Sequence, residues 1–230
     1  MHDALRATFQ YFTELANSLN ILKPDVPRTF YVEGSTQFES FTVSNFRVRE
    51  RRGTADHKEY LEEVALRFNW VGRQPLVAER DSPQLIQRLR EHLTGYGMRF
   101  QSKDVMNDRG AVIRTVFTVE PAIAAMAAFA GNWDTGKIRL SLKNAETLGT
   151  IDYQYDAAEV DQALLDEFTK LVLDKANNLK NLGKYQELLR TTSRPRTDVP
   201  DVQYAIDPTP EAEAGSGNRL LDNLKSLLKR

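Results

Sequence analysis

The stretch Glu63-Val64-Ala65-Leu66-Arg67-Phe68-Asn69-Trp70 decides how this chain reads. Val64, Leu66, Phe68 and Trp70 point one way; Glu63, Arg67 and Asn69 point the other. A period of two over this length belongs to a strand with one face on a core and one in water, the pattern of an antiparallel sheet.

The flanking segments extend that sheet. Upstream, Phe30, Tyr31 and Val32 form a short strand, and Gly34-Ser35 turns the chain. Phe38 to Arg49 reads as a longer strand with Phe41, Val43, Phe46 and Val48 as its apolar members, and Gly53-Thr54-Ala55-Asp56 is a turn signal. Downstream, Met98 to Val105 and Ala111 to Glu120 read as a hairpin across Asn107-Asp108-Arg109-Gly110. Ala122 to Phe129 reads as strand: alanine favours helix, but Pro121 and Gly131-Asn132 bound the stretch and its neighbours are strands. Lys137 to Lys143 puts Ile138, Leu140 and Leu142 inward and Arg139 and Ser141 outward. Gly149 to Tyr155 sets Ile151, Tyr153 and Tyr155 against Asp152 and Gln154.

Three helical patterns interrupt the strands. Leu5, Phe9, Phe12, Leu15, Ala16 and Leu19 give an apolar stripe over Asp3 to Leu22, ended by Pro24 and Pro27. Ser82 as N-cap with Pro83 behind it opens a second helix, with Leu85, Ile86, Leu89, His92 and Leu93 as its stripe. A long third helix is expected from Asp156, which forms a capping-box pattern with Glu159; Val160, Leu164, Phe168, Leu171, Val172, Lys175 and Leu179 carry its stripe on toward Leu189. Strands joined by hairpins rather than alternating with helices predict α+β. The expected body, residues 1–190, is an antiparallel sheet of about 7–8 strands packed against N-terminal, middle and long C-terminal helices. Its element order loosely resembles a helix-grip arrangement, a curved sheet wrapping a helix.

Composition changes after Arg190. Residues 191–218 hold Pro195, Pro200, Pro208 and Pro210, with Asp198, Asp201, Asp207, Glu211 and Glu213 against Arg194 and Arg196. That composition cannot build a core and predicts a disordered linker. Residues 219–230 then form a short amphipathic helix with Leu220, Leu221, Leu224, Leu227 and Leu228 on one stripe. Twelve residues are marginal as an isolated helix, so these leucines need a surface, and another protein's groove is the expected one.

The 31 Lys+Arg against 32 Asp+Glu leave a net charge of −1, which argues against a general nucleic-acid binder. The absence of cysteine excludes disulfides, thiol catalysis and cysteine-ligated metal. No apolar run approaches the roughly 20 residues that span a bilayer. Met1 to Leu5 has no basic start leading into an apolar stretch, so the expectation is a soluble, cytoplasmic protein.

Catalytic residues are harder to find. His57 lies in Asp56-His57-Lys58-Glu59 without a nucleophile elbow or a second histidine at ligand spacing; His92 adjoins an apolar helix face, and His2 is terminal. No nucleophile, metal set or phosphate-cradling glycine loop emerges, so neither catalysis nor a cofactor is expected. Arg47, Arg49 and Arg51 project from one face of a strand and can hold phosphate through bidentate hydrogen bonds. Arg47 and Arg51 fit R-x-x-x-R, and Asn144-Ala145-Glu146-Thr147-Leu148-Gly149 resembles the N-x-S-x-x-G element of PilZ domains, with Glu146 in the serine's place. The resemblance implies a cyclic dinucleotide; Glu146 would repel its phosphate, so these arginines are expected to bind no nucleotide. Trp70, Trp133, Tyr153 and Tyr155 are aromatic strand residues that pack a core or line a pocket between sheet and long helix. The leading expectation is a non-enzymatic protein-binding or adaptor module with a tethered C-terminal docking helix. The alternative is a small-ligand or nucleotide-binding domain.

Overall fold

The computed structural model describes residues 1–34, 36–55, 58–182 and 217–228. Helix α1 (His2–Leu22) stops at Lys23, whose left-handed backbone (φ 42°) lets its N–H bond the Leu19 carbonyl at 2.8 Å. Strands β1 (Asp25–Glu33), β2 (Thr36–Ala55) and β3 (Lys58–Gly72) form an antiparallel meander. Pro27 falls inside β1 rather than ending the helix; β1 is an edge strand with a register shift between Val26 and Thr29, where a missing N–H is tolerated.

After β3 the chain leaves the sheet. It forms β4 (Leu76–Arg80), α2 (Pro83–Gly95), β5 (Phe100–Met106) and β6 (Val112–Val119). It returns as β7 (Ala122–Asn132), β8 (Lys137–Lys143) and β9 (Thr150–Asp156). Two sheets result: a curled six-stranded one, β1-β2-β3-β7-β8-β9, and a small one, β4-β6-β5. The single sheet of 7–8 strands is thus corrected to six plus three. Pairing of β3 with β7 is non-local and invisible to periodicity, and β4 is too short to announce itself. Gly72 and Pro121 mark exit and return, joined by a bond from the Gly72 N–H to the Pro121 carbonyl at 2.6 Å.

The long helix from Asp156 is also corrected. Glu159 does bond the Asp156 N–H at 2.8 Å, but that closes a turn. Helix α3 (Gln162–Val172) starts at Asp161, whose carboxylate accepts the Leu164 N–H at 3.0 Å, and ends before Asp174 at φ 55°. A 3-10 turn (Leu179–Asn181) follows and buries Leu179. Ser82 caps α2 as expected, accepting the Leu85 N–H. Helix α4 (Gly217–Leu228) is the last element. Residues 183–216 and His57 lie outside the described residues.

The six-stranded sheet curls around α1 and α3. Its inner face carries Val64, Leu66, Phe68 and Trp70, none more than 1% exposed, with Phe129, Leu140, Leu142, Tyr153 and Tyr155. Phe12 of α1 sits between Phe129 and Phe168 at centroid distances of 5.6 and 5.3 Å. The space between sheet and helices is therefore occupied by aromatic side chains where the sequence left open a ligand pocket. Arg28 pins the two sheet edges together: from β1 it donates to Asp174 Oδ1, to the Leu171 carbonyl at the end of α3, and to the Ala145 carbonyl in the β8–β9 loop.

Candidate binding surface on the outer sheet face

Inward packing of alternate residues leaves the other half of each strand on the outer face. Strand β7 presents Ala122, Ala124, Met126, Ala128 and Ala130 there. Pairing registers then fix their neighbours. One cross-strand row runs Arg47, Arg67, Met126, Lys143; the next runs Arg49, Ala65, Ala128, Ser141, Asp152; the third runs Arg51, Glu63, Ala130, Arg139. Lys137 continues the β8 series.

The alanines make a low floor between taller side chains; Ala65 and Ala128 are 4% and 5% exposed although they face outward. Part of this floor deepens into an open concavity of about 820 Å3, lined by Asn45, Arg47, Arg49, Arg67, Asn69, Ala124, Met126 and Lys143 among others. Asn45 adopts a left-handed backbone (φ 59°) at the β2 bulge between Ser44 and Arg47.

Arg47, Arg49, Arg67, Lys137, Arg139 and Lys143 form no ion pair within the described residues. Carboxylates share the face: Asp156 stands opposite Lys137 across the β8–β9 pair. Glu63 is within 3.8 Å of Arg51, and Asp152 is buried at the far edge with Oδ1 lacking a hydrogen-bond partner. No aromatic residue stands among the outward positions of β3, β7 and β8 just named.

The structure brings Arg47 and Arg49 together but removes Arg51, which turns to Glu62 at 2.9 Å. A bulge between Arg51 and Arg52 shifts the register there. Arg67, Lys137, Arg139 and Lys143 take its place; sequence alternation marks Arg67 and Arg139 as outward, but only the register shows that they share a surface. The PilZ-like segment is scaffolding anchored at its buried start. Asn144 is fully buried; its amide donates to the Tyr96 and Ala124 carbonyls and accepts the Gly149 N–H. Its own carbonyl accepts the Trp70 indole N–H at 2.8 Å, and Glu146 binds Tyr153 and Lys180. Trp133 sits half-exposed in the β7–β8 turn against Tyr60 rather than in a strand.

Four of the five C-terminal leucines meet the same chain. Leu220 and Leu224 are 9% and 1% exposed against the core, with Leu227 and Leu228 packed beside them; Leu221 is half-buried. A cleft of about 270 Å3 remains between α1, α3 and α4. In its wall Tyr11 bonds Asp166 at 2.9 Å and Thr169 at 2.8 Å, and burial raises the Tyr11 hydroxyl above its ordinary pKa. Another cavity, of about 850 Å3, lies between the sheets. It is charge-compensated, with Glu33 shared by Arg80 and Arg88 and Arg114 on Glu79. Among the described residues no cluster of histidine and carboxylate side chains can hold a metal, and no helix is long and apolar enough to cross a membrane.

Compared with family models, curated proteins and solved structures, the chain gives no significant match.

Proposed function

We propose that this chain is a non-enzymatic protein-binding module and that its binding face is the outer surface of the six-stranded sheet. One observation carries the reading: six cationic side chains without ion-pair partners among the described residues share that face in a chain of net charge −1. Such a local field steers and orients an acidic partner. The lack of aromatic residues among those outward positions of β3, β7 and β8 favours an acidic protein segment over single-stranded nucleic acid, whose bases need stacking surfaces.

The test compares the native chain with R67E/K143E. Proteins captured by the native chain are purified and titrated against both in a calorimeter. Binding that weakens about tenfold or more on charge reversal, and that weakens with salt, supports the reading. Binding indifferent to the reversal, or recovery of nucleic acid alone, overturns it.

A second reading is a small anion in the concavity, whose volume falls within the usual range for ligand sites. Titration with cyclic dinucleotides and mononucleotides separates the two; no heat is expected, and a signal abolished by R47A would favour the small ligand.

A further inference from the structure

The partner's shape follows from where the cations stand, given the protein-binding reading above. Arg67 on β3 and Lys137, Arg139 and Lys143 on β8 lie on either side of β7, whose outward residues are mostly alanine. Strands β3 and β8 are two inter-strand steps apart, about 9.6 Å. Arg47 and Arg49 reinforce the first side from β2. This is a furrow along β7 with cations on each side, the β3 side interrupted by Glu63 beside Ala130.

Three kinds of acidic partner were weighed against that shape. An extended strand needs a free sheet edge to pair with, and β7 has neighbours on both sides. A flexible acidic chain would satisfy the cations but leave exposed Ala122 and Ala124 and half-buried Met126 and Ala130 in water. An α-helix is about 10–12 Å across with its side chains, comparable to the spacing of the two cationic sides, so it rides over β7 with an apolar stripe on the floor and the long Arg and Lys side chains reaching up its flanks. Successive outward residues on β8 are about 6.7 Å apart. Carboxylates four residues apart on a helix rise by about 6 Å, close to the spacing of Lys137 and Arg139. Strand β7, at 11 residues, offers a bed about 36 Å long.

We infer that the outer face is a docking site for an acidic amphipathic α-helix of a partner protein, lying along β7 with small or apolar residues on Ala124, Met126 and Ala130 and carboxylates toward the cations on both sides. Charge complementarity fixes the sign of the partner, and the width between the two cationic sides fixes its form.

The test uses four labelled probes and the full chain: a designed 18-residue helical peptide with a leucine-alanine stripe flanked by glutamates, a scrambled peptide of the same composition, polyglutamate of that length, and a single-stranded DNA oligonucleotide. Fluorescence anisotropy reads affinity, and circular dichroism reads helix gained on binding. The expected result is that the amphipathic peptide binds about tenfold or more tighter than the others and gains helix in the complex. A124Q, which raises the floor and leaves every cation in place, should weaken that peptide about tenfold with no change in melting temperature. R67E/K143E should abolish it.

If the scrambled peptide and polyglutamate bind as well as the amphipathic one, with loss in R67E/K143E, the helix inference fails and the acidic-partner reading survives. If no peptide binds, or charge reversal changes nothing, both fail. Preference for the oligonucleotide overturns both in favour of nucleic acid. If A124Q leaves the amphipathic peptide's affinity unchanged, the furrow is not its seat.

Discussion

Arg47 and Arg67 stand directly opposite each other on adjacent antiparallel strands, and neither has a carboxylate partner among the described residues. Like charges in that relation destabilise a sheet by a few tenths of a kcal/mol up to about 1. Replacing Arg67 by Gln should therefore raise the unfolding free energy by about 0.2–1 kcal/mol in a urea titration while weakening acidic peptides. A clear loss of stability would show that the pair is compatible in the free fold.

The Arg28–Asp174 bridge is asymmetric. Arg28 is 7% exposed and Asp174 side chain 33%, so the carboxylate can return to water but the guanidinium cannot. Burial lowers the Arg28 pKa, opposed by Asp174. Asp174→Ala should cost about 3–5 kcal/mol by leaving a buried charge unpaired, and Arg28→Leu should cost less. Denaturant unfolding of both variants checks the order; the reverse order would mean that the two carbonyl bonds of Arg28 hold it without help from Asp174.

Phe68 is 1% exposed, stacks on Phe46 at 5.1 Å and meets Trp70 edge-on at 5.3 Å. Phe68→Ala should cost about 3–5 kcal/mol by guanidinium titration. A cost under about 1 kcal/mol would mean that this face of β3 is not the core.

Burial raises the hydroxyls of Tyr11 and Tyr155 above the ordinary tyrosine value. The folded state then holds their protons at pH values where the unfolded chain releases them. This stabilisation is complete below about pH 10 and declines above it by about 1.4 kcal/mol per pH unit for each group. Unfolding measured from pH 9 to 11 should fall less steeply in Y11F/Y155F than in the native chain. Parallel curves would place both hydroxyls in water.

Leu224 is 1% exposed where α4 meets the body. Leu224→Ala should cost about 2–5 kcal/mol and speed hydrogen exchange in α1 if α4 holds its place in solution. Unchanged exchange and stability would return the leucines to an outside partner.

Much of the fold was legible because alternation is local. Val64 to Trp70, Ile138 to Leu142 and Ile151 to Tyr155 announced their inward faces, and Ser82-Pro83 announced a helix. Three things were not local. The β3–β7 pairing spans Gly72 to Pro121, so no periodicity reports it. Asp156–Glu159 has the residues of a helix start, yet Asp161 wins because the chain must first turn off the sheet edge. The cationic face depends on register: Arg49 and Arg51 look equivalent in sequence, but a bulge and Glu62 separate them, while Arg67 and Lys143 flank Met126 of β7 from positions that sequence alone holds far apart.

The bond between Gly72 and Pro121 means that the chain leaves the large sheet and rejoins it at one doorway. Everything from Arg73 to Glu120 is a graft on an otherwise continuous six-stranded meander. Leu89, Leu93, Phe117 and Val119 tie it into the common core, and its Tyr96 carbonyl holds Asn144. The cationic face is assembled wholly from strands outside that graft, so changes confined to its exposed hairpin turn, Asn107 to Gly110, leave the pattern of the face untouched.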